Sequence, residues 1–305
     1  MQHRAPCETI NGMRVLIAGS SGLLGTSLVA ALRGAEHEVL RLVRRRPAAP
    51  DERGWDPPAG RIDPGALDGV DAVVNLCGAG VADKRWNDAR KQVLLDSRTI
   101  PTEVLASAVA EHGIPVLVNA SAIGYYGDTG DAVVDETAPS GTGFLAELCR
   151  RWEAATAAAE SQRVVRLRTG LVISPSGGLF GAIRPLFKFG LGGRLGDGRQ
   201  YMPWISLDDA IAAIQFVLER DVRGPVNVTA PSPVTNAEFT RTVGHALGRP
   251  TPWVVPAFAL KLVLGEIAEE GVLAGQRAVP KVLERHGFHF LHPALGAAVA
   301  AAVTA

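Results

Sequence analysis

Residues 13–25 read MRVLIAGSSGLLG, and this stretch decides the fold. An apolar run with β-branched members ends at residue 18, and a segment of helical length continues to about residue 32. Glycines at a strand-to-helix turn allow a sharp bend and a close approach to a pyrophosphate, which the helix N-terminus attracts. The alternative is a tight turn without a ligand. The turn predicts a dinucleotide site made of Gly19, Ser20, Ser21, Gly22, Leu23, Leu24 and Gly25.

The rest of the first half repeats this alternation. Further short apolar runs lie at 39–43, 72–76, 116–119 and 164–167, and segments of helical length lie at 87–110 and 144–159. Apolar strands that alternate with helices predict an α/β fold with a doubly wound parallel sheet, covered on both faces. Pro101 is expected to break or kink its helix, because proline lacks the backbone N–H.

After about residue 171 the pattern changes. Residues 174–199 are rich in glycine, and a helix over 206–219 opens with Ser206 and Asp209, a capping-box pattern. A strand at 226–228 and helices at 235–247 and 257–270 follow. We expect a flexible tail at 1–12, a Rossmann-type domain at 13–180 to which 206–230 return, and a smaller, discontinuous C-terminal substrate lobe at 181–205 and 231–305.

Composition excludes several classes of protein. The chain has 305 residues, of which 47% are hydrophobic, and 31 Lys and Arg balance 31 Asp and Glu. Such a chain forms a packed core, and a net charge of zero favours neither nucleic acid nor a polybasic membrane anchor as a partner.

The three cysteines point to a reducing compartment. Cys7, Cys77 and Cys149 form neither a disulfide framework nor the spacing of a zinc site. No apolar leader segment precedes the first strand. We therefore expect a cytoplasmic protein that binds a small molecule, with no nucleic acid and no membrane as partners; the oligomeric state stays open.

The end of the second strand indicates which dinucleotide is bound. It reads LVRRR, with Arg44, Arg45 and Arg46 and no acidic residue that would suit a ribose 2′-hydroxyl. A 2′-phosphate needs cationic, forked donors, and Arg44 has the best position for it. The prediction is NADP(H); a solvated basic turn is the alternative.

Several segments resemble the extended short-chain dehydrogenase/reductases. Besides the glycine turn these are NLCGAG (75–80), YGD (126–128) and WISLDD (204–209). KRW (84–86), SR (97–98), NASAIGYYGD (119–128), FLAELCRRWE (144–153) and GLVISPSGG (170–178) are more specifically similar to the epimerase family protein subgroup, which ends in a small domain of unassigned function, here about 250–300. The resemblance implies that Cys77, Gly78 and Ala79 also line the cofactor.

The acid–base pair of that wider family is missing. The family has Tyr-x-x-x-Lys at the start of the helix after the fifth strand, whereas this chain has Phe144 and Leu148 at the matching positions. A shift of one residue gives Leu145 and Cys149, which are no better, and the family's assisting serine aligns with Ala122.

Other polar groups are candidates for the chemistry. Ser121 and Tyr126 follow the strand at 116–119, so they lie at the carboxyl end of the sheet, where ligands bind. We predict Tyr126 as the proton donor and Ser121 as the group that orients the substrate, with Tyr125 on the opposite side. Ordinary loop packing is the alternative for all three.

Two residues follow the strand at 72–76. Arg85 and Trp86 are candidates for contact with an anionic or ring-shaped substrate, and Arg85 for the charge that the absent lysine normally supplies. A solvated arginine beside a packing tryptophan is the alternative.

Two further patterns suggest chemistry but are better explained otherwise. His286, His289 and His292 recur every third residue, yet no Cys or acid completes a metal site. Asp208 and Asp209 begin a helix and are more simply caps than a catalytic pair.

Together these features predict an atypical NADP(H)-binding oxidoreductase or epimerase-like enzyme for a small carbonyl or hydroxyl substrate. The alternative is a non-enzymatic NADP(H)-dependent binding or sensor protein that lost the Tyr-x-x-x-Lys pair.

Overall fold

The computed structural model describes residues 12–304. The strands are β1 (Arg14–Ala18), β2 (Glu38–Val43), β3 (Glu52–Asp56), β4 (Arg61–Ile62), β5 (Ala72–Asn75), β6 (Val116–Ala122), β7 (Val133–Val134), β8 (Arg163–Thr169), β9 (Leu171–Ile173), β10 (Gly193–Leu195), β11 (Tyr201–Met202), β12 (Trp204–Ser206), β13 (Gly224–Val228), β14 (Val234–Thr235), β15 (Trp253–Val255) and β16 (Arg277–Ala278).

The α-helices are α1 (Leu23–Gly34), α2 (Asp88–His112), α3 (Phe144–Ala154), α4 (Gly178–Lys188), α5 (Leu207–Glu219), α6 (Asn236–Ala246), α7 (Ala257–Leu264), α8 (Lys281–Arg285) and α9 (Leu295–Thr304). Short 3₁₀ turns lie at Pro57–Ala59, Ile123–Tyr126 and Ala157–Ala159, and a π-helical turn at Ala268–Leu273.

The main sheet has eight strands in the order β13-β8-β6-β5-β1-β2-β3-β4. All neighbours are parallel except β3 and β4. From β1 the chain builds outward first through β2 and β3 and then, on the other side, through β5, β6 and β8. The strand order therefore reverses between β1 and β5, and in such sheets ligands bind outside the carboxyl ends of the strands at this switch point. The predicted doubly wound parallel fold is confirmed.

Both faces of the sheet are buried. Alternate residues of each strand point to opposite faces, so Val15 and Ile17 pack with α1 and α5, whereas Leu16 and Ala18 pack on the side of α2. This arrangement explains why the strands read as continuous apolar runs in the sequence.

A second, smaller core lies beside the sheet. Phe180, Trp204 and Phe239 are completely or almost completely buried there against α9. The segment around α8 belongs elsewhere, because Leu283 is buried in the core of the main sheet with α1 and α5. The C-terminal part of the chain thus packs partly on the smaller core and partly on the main sheet.

Helix α2 runs unbroken through Pro101, so the expected break is wrong. Tertiary bonds hold the helix on both sides of the proline: Arg98 donates to the carbonyl of Ala79 (3.0 Å), and the Thr102 hydroxyl bonds to the side chains of Asn75 and Asn119. These contacts offset the one backbone hydrogen bond that proline removes.

Three further comparisons concern element bounds. Strand β3 was missed because it is polar; its Glu52 is buried by ion pairing. The helix expected over 257–270 is α7 followed by the π-helical turn. The tail predicted at 1–12 and Cys7 lie outside the described residues except for Gly12. No helix among residues 12–304 is long and apolar enough to cross a bilayer.

Candidate functional site

The glycine turn between β1 and α1 lies at the switch point of the sheet. Gly19 has φ +79°, and a Cβ on it would lie 2.7 Å from the backbone carbonyl of Leu76. A Cβ on Gly25 would overlap the carbonyl oxygen of Gly19. Backbone therefore fills the space that a side chain would need, and only glycine fits at these two positions.

The N-terminus of α1 is open. Its N-cap is Gly22, which provides no side-chain cap, and no acidic residue lies in the first turn. Ser21 and Gly22 are exposed, and Leu23 and Leu24 are half-buried. Free N–H groups at a helix N-terminus form a site for an anion. The arrangement can hold a pyrophosphate, as the sequence predicted for residues 19–25.

Arg44 follows β2 and is exposed. Its neighbours are occupied: Arg45 binds the buried carboxylate of Glu52 (2.6 Å), and Arg41 binds Asp51 (2.6 Å). Arg44 itself makes no hydrogen bond or ion pair within residues 12–304. It is therefore available for an anionic ligand, whereas Arg45 is not.

The loop that follows β5 is held in place by hydrogen bonds to side chains of α2. The N–H of Ala79 donates to Oγ of Ser97 (3.1 Å), and Nη2 of Arg98 donates to the carbonyl of Ala79 (3.0 Å). A Cβ on Gly78 would lie 3.2 Å from the guanidinium carbon of Arg98, so this glycine also has little room. Burial raises the pKa of Cys77 to about 12, so this thiol is inert and contributes shape rather than chemistry.

A buried polar network lies beneath the carboxyl ends of β6 and β8. Ser121 on β6 donates to Oε1 of Glu153 (2.7 Å), and Arg168 on β8 binds both carboxylate oxygens of Glu153 (2.8 and 2.9 Å). Burial by itself lowers the pKa of Arg168, but the hydrogen bonds and the charge of Glu153 raise it above its usual value. The Ser121 hydroxyl is thus held by the buried Glu153–Arg168 ion pair.

Tyr126 belongs to the same network. Its side chain is 3% exposed; its hydroxyl donates to Asn227 (2.7 Å) and accepts from Arg168 (3.1 Å). Burial raises the pKa of Tyr126 to about 12, against the opposing effect of Arg168. This phenol has both of its bonds made inside the protein, which contradicts the expectation that it faces the substrate as a proton donor.

Tyr125 does not point to the opposite side, as an extended chain would require. It lies with Tyr126 in a 3₁₀ turn, where successive residues are rotated by about 120°. The guanidinium carbon of Arg168 lies 3.5 Å from the centre of the Tyr125 ring. The half-buried Tyr125 has no partner for its hydroxyl within residues 12–304.

The start of α3 shows which residues stand where the family has its acid–base pair. A Cβ on Gly124, just after β6, would lie 3.4 Å from Cβ of Leu145 and 3.9 Å from Sγ of Cys149. Phe144 and Leu148 lie in an apolar cluster with Trp86 and Ile267, to which Leu145 also belongs. Leu145 and Cys149 are the residues of α3 that face Gly124. Leucine cannot transfer a proton, and burial raises the pKa of Cys149 to about 12.

A carboxylate from the C-terminal part of the chain caps α3. The N–H groups of Phe144 and Leu145 donate to Oε1 and Oε2 of Glu270 (2.8 and 2.7 Å). Glu266, one turn earlier, pairs with Lys91 on α2 (2.6 Å). The segment that begins with Glu266 is thereby attached to the two helices beside the candidate site.

Arg85 and Trp86 have separate environments. The Trp86 ring is 9% exposed; it donates to the carbonyl of Val81 (2.9 Å) and packs edge-on against Phe144, with ring centres 5.0 Å apart. It is a packing residue, contrary to the expectation of substrate contact. Arg85 is exposed and reaches the carbonyl of Leu262 (3.4 Å), and it does not approach Tyr126. The cation beside Tyr126 is Arg168.

The N-cap half of the capping box at α5 is confirmed, because Ser206 accepts the N–H of Asp209 (3.0 Å). The Asp209 carboxylate accepts the Ser206 hydroxyl and the N–H groups of Leu291 and His292. Asp208 lies in the first turn, where it suits the helix dipole. Among the described residues, no group of three His, Cys, Asp or Glu side chains could hold a metal ion, and this includes His286 and His289.

Sequence reasoning missed four members of these networks. Glu153, Arg168, Asn227 and Glu270 are buried or bonded across the fold. Three arginines among the seven residues of β8 were a usable signal of polar contacts there, and Arg168 is the one that is buried. No local signal pointed to Glu270, because its partners lie more than a hundred residues away in the chain.

Comparison with known families gives two matches. The model described as "NAD dependent epimerase/dehydratase family" matches residues 15–229, and a "domain of unknown function" matches residues 255–302. The second range agrees with the small terminal domain that the sequence motifs predicted at about 250–300.

Curated relatives share nearly the whole chain. Epimerase family protein Mb2239 of Mycobacterium bovis is 57% identical over 293 residues, covering 95% of this chain and 97% of the relative. Epimerase family protein SDR39U1 of Homo sapiens is 36% identical over 294 residues, covering 94% and 98%.

Solved structures agree with the fold. Human epimerase family protein SDR39U1, crystallised with NADPH, has a TM-score of 0.88 at 34% identity and covers 96% of this chain and 99% of its own. A UDP-glucose 4-epimerase of Thermus thermophilus, at 19% identity and a TM-score of 0.75 over 96% and 98%, shows the fold alone. The predicted family is confirmed: the chain belongs to the NAD dependent epimerase/dehydratase family, in the group named epimerase family proteins.

Proposed function

We propose that this chain is an NADP(H)-dependent oxidoreductase or epimerase-like enzyme for a small carbonyl or hydroxyl substrate. The proposal is carried by two observations together: Arg44 makes no hydrogen bond or ion pair within residues 12–304, and the N-terminus of α1 has no side-chain cap. One cation and one open set of N–H groups suit the 2′-phosphate and the pyrophosphate of the same cofactor. The NADPH in the crystal structure of human SDR39U1 supports this cofactor.

The cofactor residues have separate tasks in this proposal. Gly19, Gly22 and Gly25 let the backbone approach the pyrophosphate, together with the N–H groups of residues 20–24. Arg44 holds the 2′-phosphate. The loop of Cys77, Gly78 and Ala79, fixed by Ser97 and Arg98, forms the opposite wall.

Proton transfer needs a group other than the family's pair. Hydride chemistry, which bound NADP(H) supplies, leaves or consumes an alkoxide that needs a proton donor or acceptor. Leu145 and Cys149 cannot serve, and the hydroxyl of Tyr126 is already bonded on both sides. We assign the role to Tyr125, because its hydroxyl is the phenol near the end of β6 that has no partner within residues 12–304.

The other polar groups position the site. Ser121, Glu153 and Arg168 form one bonded unit, and Arg168 also contacts the ring of Tyr125. Tyr126 fixes Arg168 from the other side. Arg85, exposed after the loop of Cys77, remains a candidate for contact with an anionic substrate.

The test follows the oxidation of NADPH with a library of aldehydes and ketones. Tyr125→Phe is expected to lower the rate by about 10²–10⁴-fold, the usual contribution of general acid catalysis. Tyr126→Phe is the comparison variant; because Tyr126 only helps to hold Arg168, it is expected to lower the rate of the folded fraction much less than Tyr125→Phe does. If Tyr126→Phe abolishes turnover while NADPH affinity and folding are unchanged, Tyr126 is the donor and the assignment to Tyr125 fails.

A second candidate function is NADP(H)-dependent binding or sensing without turnover. The apolar Leu145 and the inert Cys149 beside the end of β6 favour it. Calorimetric binding of NADPH by a protein that oxidises no substrate of the library would select this function over the enzyme.

A further inference from the structure

Exposed apolar side chains are concentrated on one part of the molecule. Among residues 12–304, eleven large apolar side chains are at least 48% exposed, and eight of these lie within 186–191 and 253–263. They are Leu186 (51%), Phe189 (81%), Leu191 (61%), Trp253 (57%), Val254 (48%), Phe258 (73%), Leu262 (74%) and Val263 (70%). We call this set the apolar face.

The two segments of the apolar face are joined in space. Strand β10 pairs with β15, so that Gly193 lies opposite Trp253, and the indole N–H of Trp253 donates to the carbonyl of Gly190 (2.9 Å). Helix α7 follows β15 directly after Pro256. Seven of the eight residues of α7 are apolar, yet none of them is buried. The face therefore continues from the end of α4 through β15 into α7.

The segments around the apolar face carry an excess of positive charge. Residues 178–197 and 238–266 contain six Lys and Arg residues and three acidic ones, Asp197, Glu238 and Glu266, although the chain as a whole has 31 of each kind. The six are Arg184, Lys188, Arg194, Arg241, Arg249 and Lys261, and all but Arg184 are exposed. One ammonium group, that of Lys261, pairs with Glu269 (2.7 Å), which lies beyond α7. The zero net charge of the chain conceals this regional excess.

The exposed apolar side chains and the positive charge together indicate which kind of partner the apolar face binds. A second copy bound through a two-fold axis would place this cationic surface against itself, and like charges across an interface oppose association. Phenylalanine, tryptophan and leucine side chains that protrude from a basic surface suit the boundary between the headgroups and the acyl chains of a bilayer. Lysine and arginine beside them are attracted to anionic lipid.

We propose that the apolar face binds peripherally to an anionic lipid surface, with the side chains of α7 and Trp253 inserted among the headgroups. The cations at Lys188 and Arg249, whose segments are joined by a hydrogen bond from Nε of Arg249 to the carbonyl of Lys188 (3.0 Å), lie beside it. This docking is independent of the proposed reaction, because it uses none of the residues assigned to the cofactor or to proton transfer.

The experiment is co-sedimentation of the full chain with vesicles of pure phosphatidylcholine or of equimolar phosphatidylcholine and phosphatidylglycerol. We expect binding to the anionic vesicles, weakened by salt, and little binding to the neutral ones. The double variants Phe258→Ser with Leu262→Ser, and Lys188→Glu with Arg249→Glu, are each expected to lower the partition coefficient by at least about ten-fold.

Two controls separate docking from general effects. Leu291→Ser and Val133→Ser remove apolar side chains that are equally exposed (69% and 55%) but lie off the apolar face, and they are expected to bind vesicles as the parent does. Unchanged NADPH binding shows that each variant is folded.

Three results would overturn the proposal: no binding of the parent to anionic vesicles, equal binding to both kinds of vesicle, or equal loss in the controls. Light scattering gives a fourth, since a dimer that the Phe258 and Leu262 changes dissociate would assign the face to a second copy of the chain.

Discussion

Helices α1 and α3 both begin after a glycine, but their N-termini differ. Gly22 leaves the N–H groups of α1 without a side-chain partner, whereas the first N–H groups of α3 are taken by Glu270. The open terminus lies at the switch point of the sheet, and Arg44, which follows the neighbouring strand β2, has no partner in the described part of the chain. The closed one begins the helix from which the wider family presents its tyrosine and lysine; this chain has Phe144 and Leu148 at the matching positions, and Leu145 and Cys149 one residue further along.

The two termini depend on different kinds of groups. Anion binding at α1 depends on backbone groups and on the absence of side chains, so a few glycines preserve it. Proton transfer at α3 depends on two side chains, so two substitutions remove it. The predictions below test each terminus, beginning with the largest expected effect.

A side chain at Gly25, in the first turn of α1, should displace the backbone that forms the open N-terminus. A Cβ introduced by Gly25→Ala overlaps the carbonyl oxygen of Gly19, so the turn must move. Loss of two charge-assisted backbone bonds, at about 1.5 kcal/mol each, weakens NADPH binding by about 100-fold or more in calorimetry. Gly34→Ala, at the other end of α1 with nothing within 4 Å, is the control and should bind normally. Normal affinity in Gly25→Ala would contradict the assignment.

Substitution of Arg44 should change the preference for NADPH over NADH rather than weaken the binding of both cofactors. Arg44→Ala is expected to weaken NADPH binding by about 10- to 150-fold, because one charge-assisted contact contributes about 1.5–3 kcal/mol. NADH, which lacks the 2′-phosphate, should bind as before. Arg61→Ala, an exposed arginine on the edge strand β4, serves as the control. Equal loss of both cofactors would show that Arg44 does not read the phosphate.

The two tyrosines should differ in stability as they differ in bonding. Tyr126→Phe leaves the side-chain oxygen of Asn227 without its donor, which should cost about 1–3 kcal/mol of unfolding free energy in urea titrations. Tyr125→Phe removes a hydroxyl without a partner among the described residues and should be close to neutral. Equal effects would mean that the Tyr126 network does not stabilise the fold.

Opening the closed terminus should destabilise α3. Glu270→Gln keeps the length of the side chain but removes the charge and one of the two acceptors, so a loss of about 0.5–2 kcal/mol is expected from thermal unfolding. Glu269→Gln changes an exposed ion pair with Lys261, for which the loss should be smaller. If Glu269→Gln proves the more damaging change, Glu270 does not anchor the segment.

The ion pair of Arg41 with Asp51 should make the free energy of unfolding modestly dependent on pH. Hydrogen bonds from Arg41 hold the pKa of Asp51 at about 2, below its usual 3.8. Its contribution to stability is therefore complete above the usual value and is lost as the pH falls through about 2. The Asp51→Asn variant should lack this acid-dependent part of the free energy of unfolding. The expected loss is on the order of 1 kcal/mol after a reduction for solvent screening. The exposed Asp56→Asn should leave the titration unchanged.

How much the sequence predicted depends on how far apart the partners lie. The glycine turn and the capping box at Ser206 are local patterns whose physics lies within one turn of chain, and the structure contains both. Glu270 binds Phe144 and Leu145, from which it is separated by 126 and 125 positions in the sequence, and no local pattern reveals such a contact. Tyr125 was placed wrongly because an extended chain was assumed where the backbone forms a 3₁₀ turn.

Tertiary contacts also overrode local rules. Pro101 should end a helix, but bonds made by Arg98 and Thr102 hold α2 together. The zero net charge of the whole chain does not exclude a local excess of one sign, such as the one around the apolar face. Totals over a chain do not describe its surfaces.

The most direct test of the account is one nuclear magnetic resonance time course of a UDP-hexose with the wild-type protein and saturating NADP⁺, the oxidised cofactor that can accept a hydride from the sugar. Calorimetric binding of NADP⁺ to the same protein reports that the site at α1 is formed. The account predicts bound cofactor with no epimerisation at the rates of enzymes that have the tyrosine and lysine, because the lost acid–base catalysis contributes about 10²–10⁴-fold. Rapid conversion of the sugar would show that the N-terminus of α3 lies in a working active site, and would contradict the account.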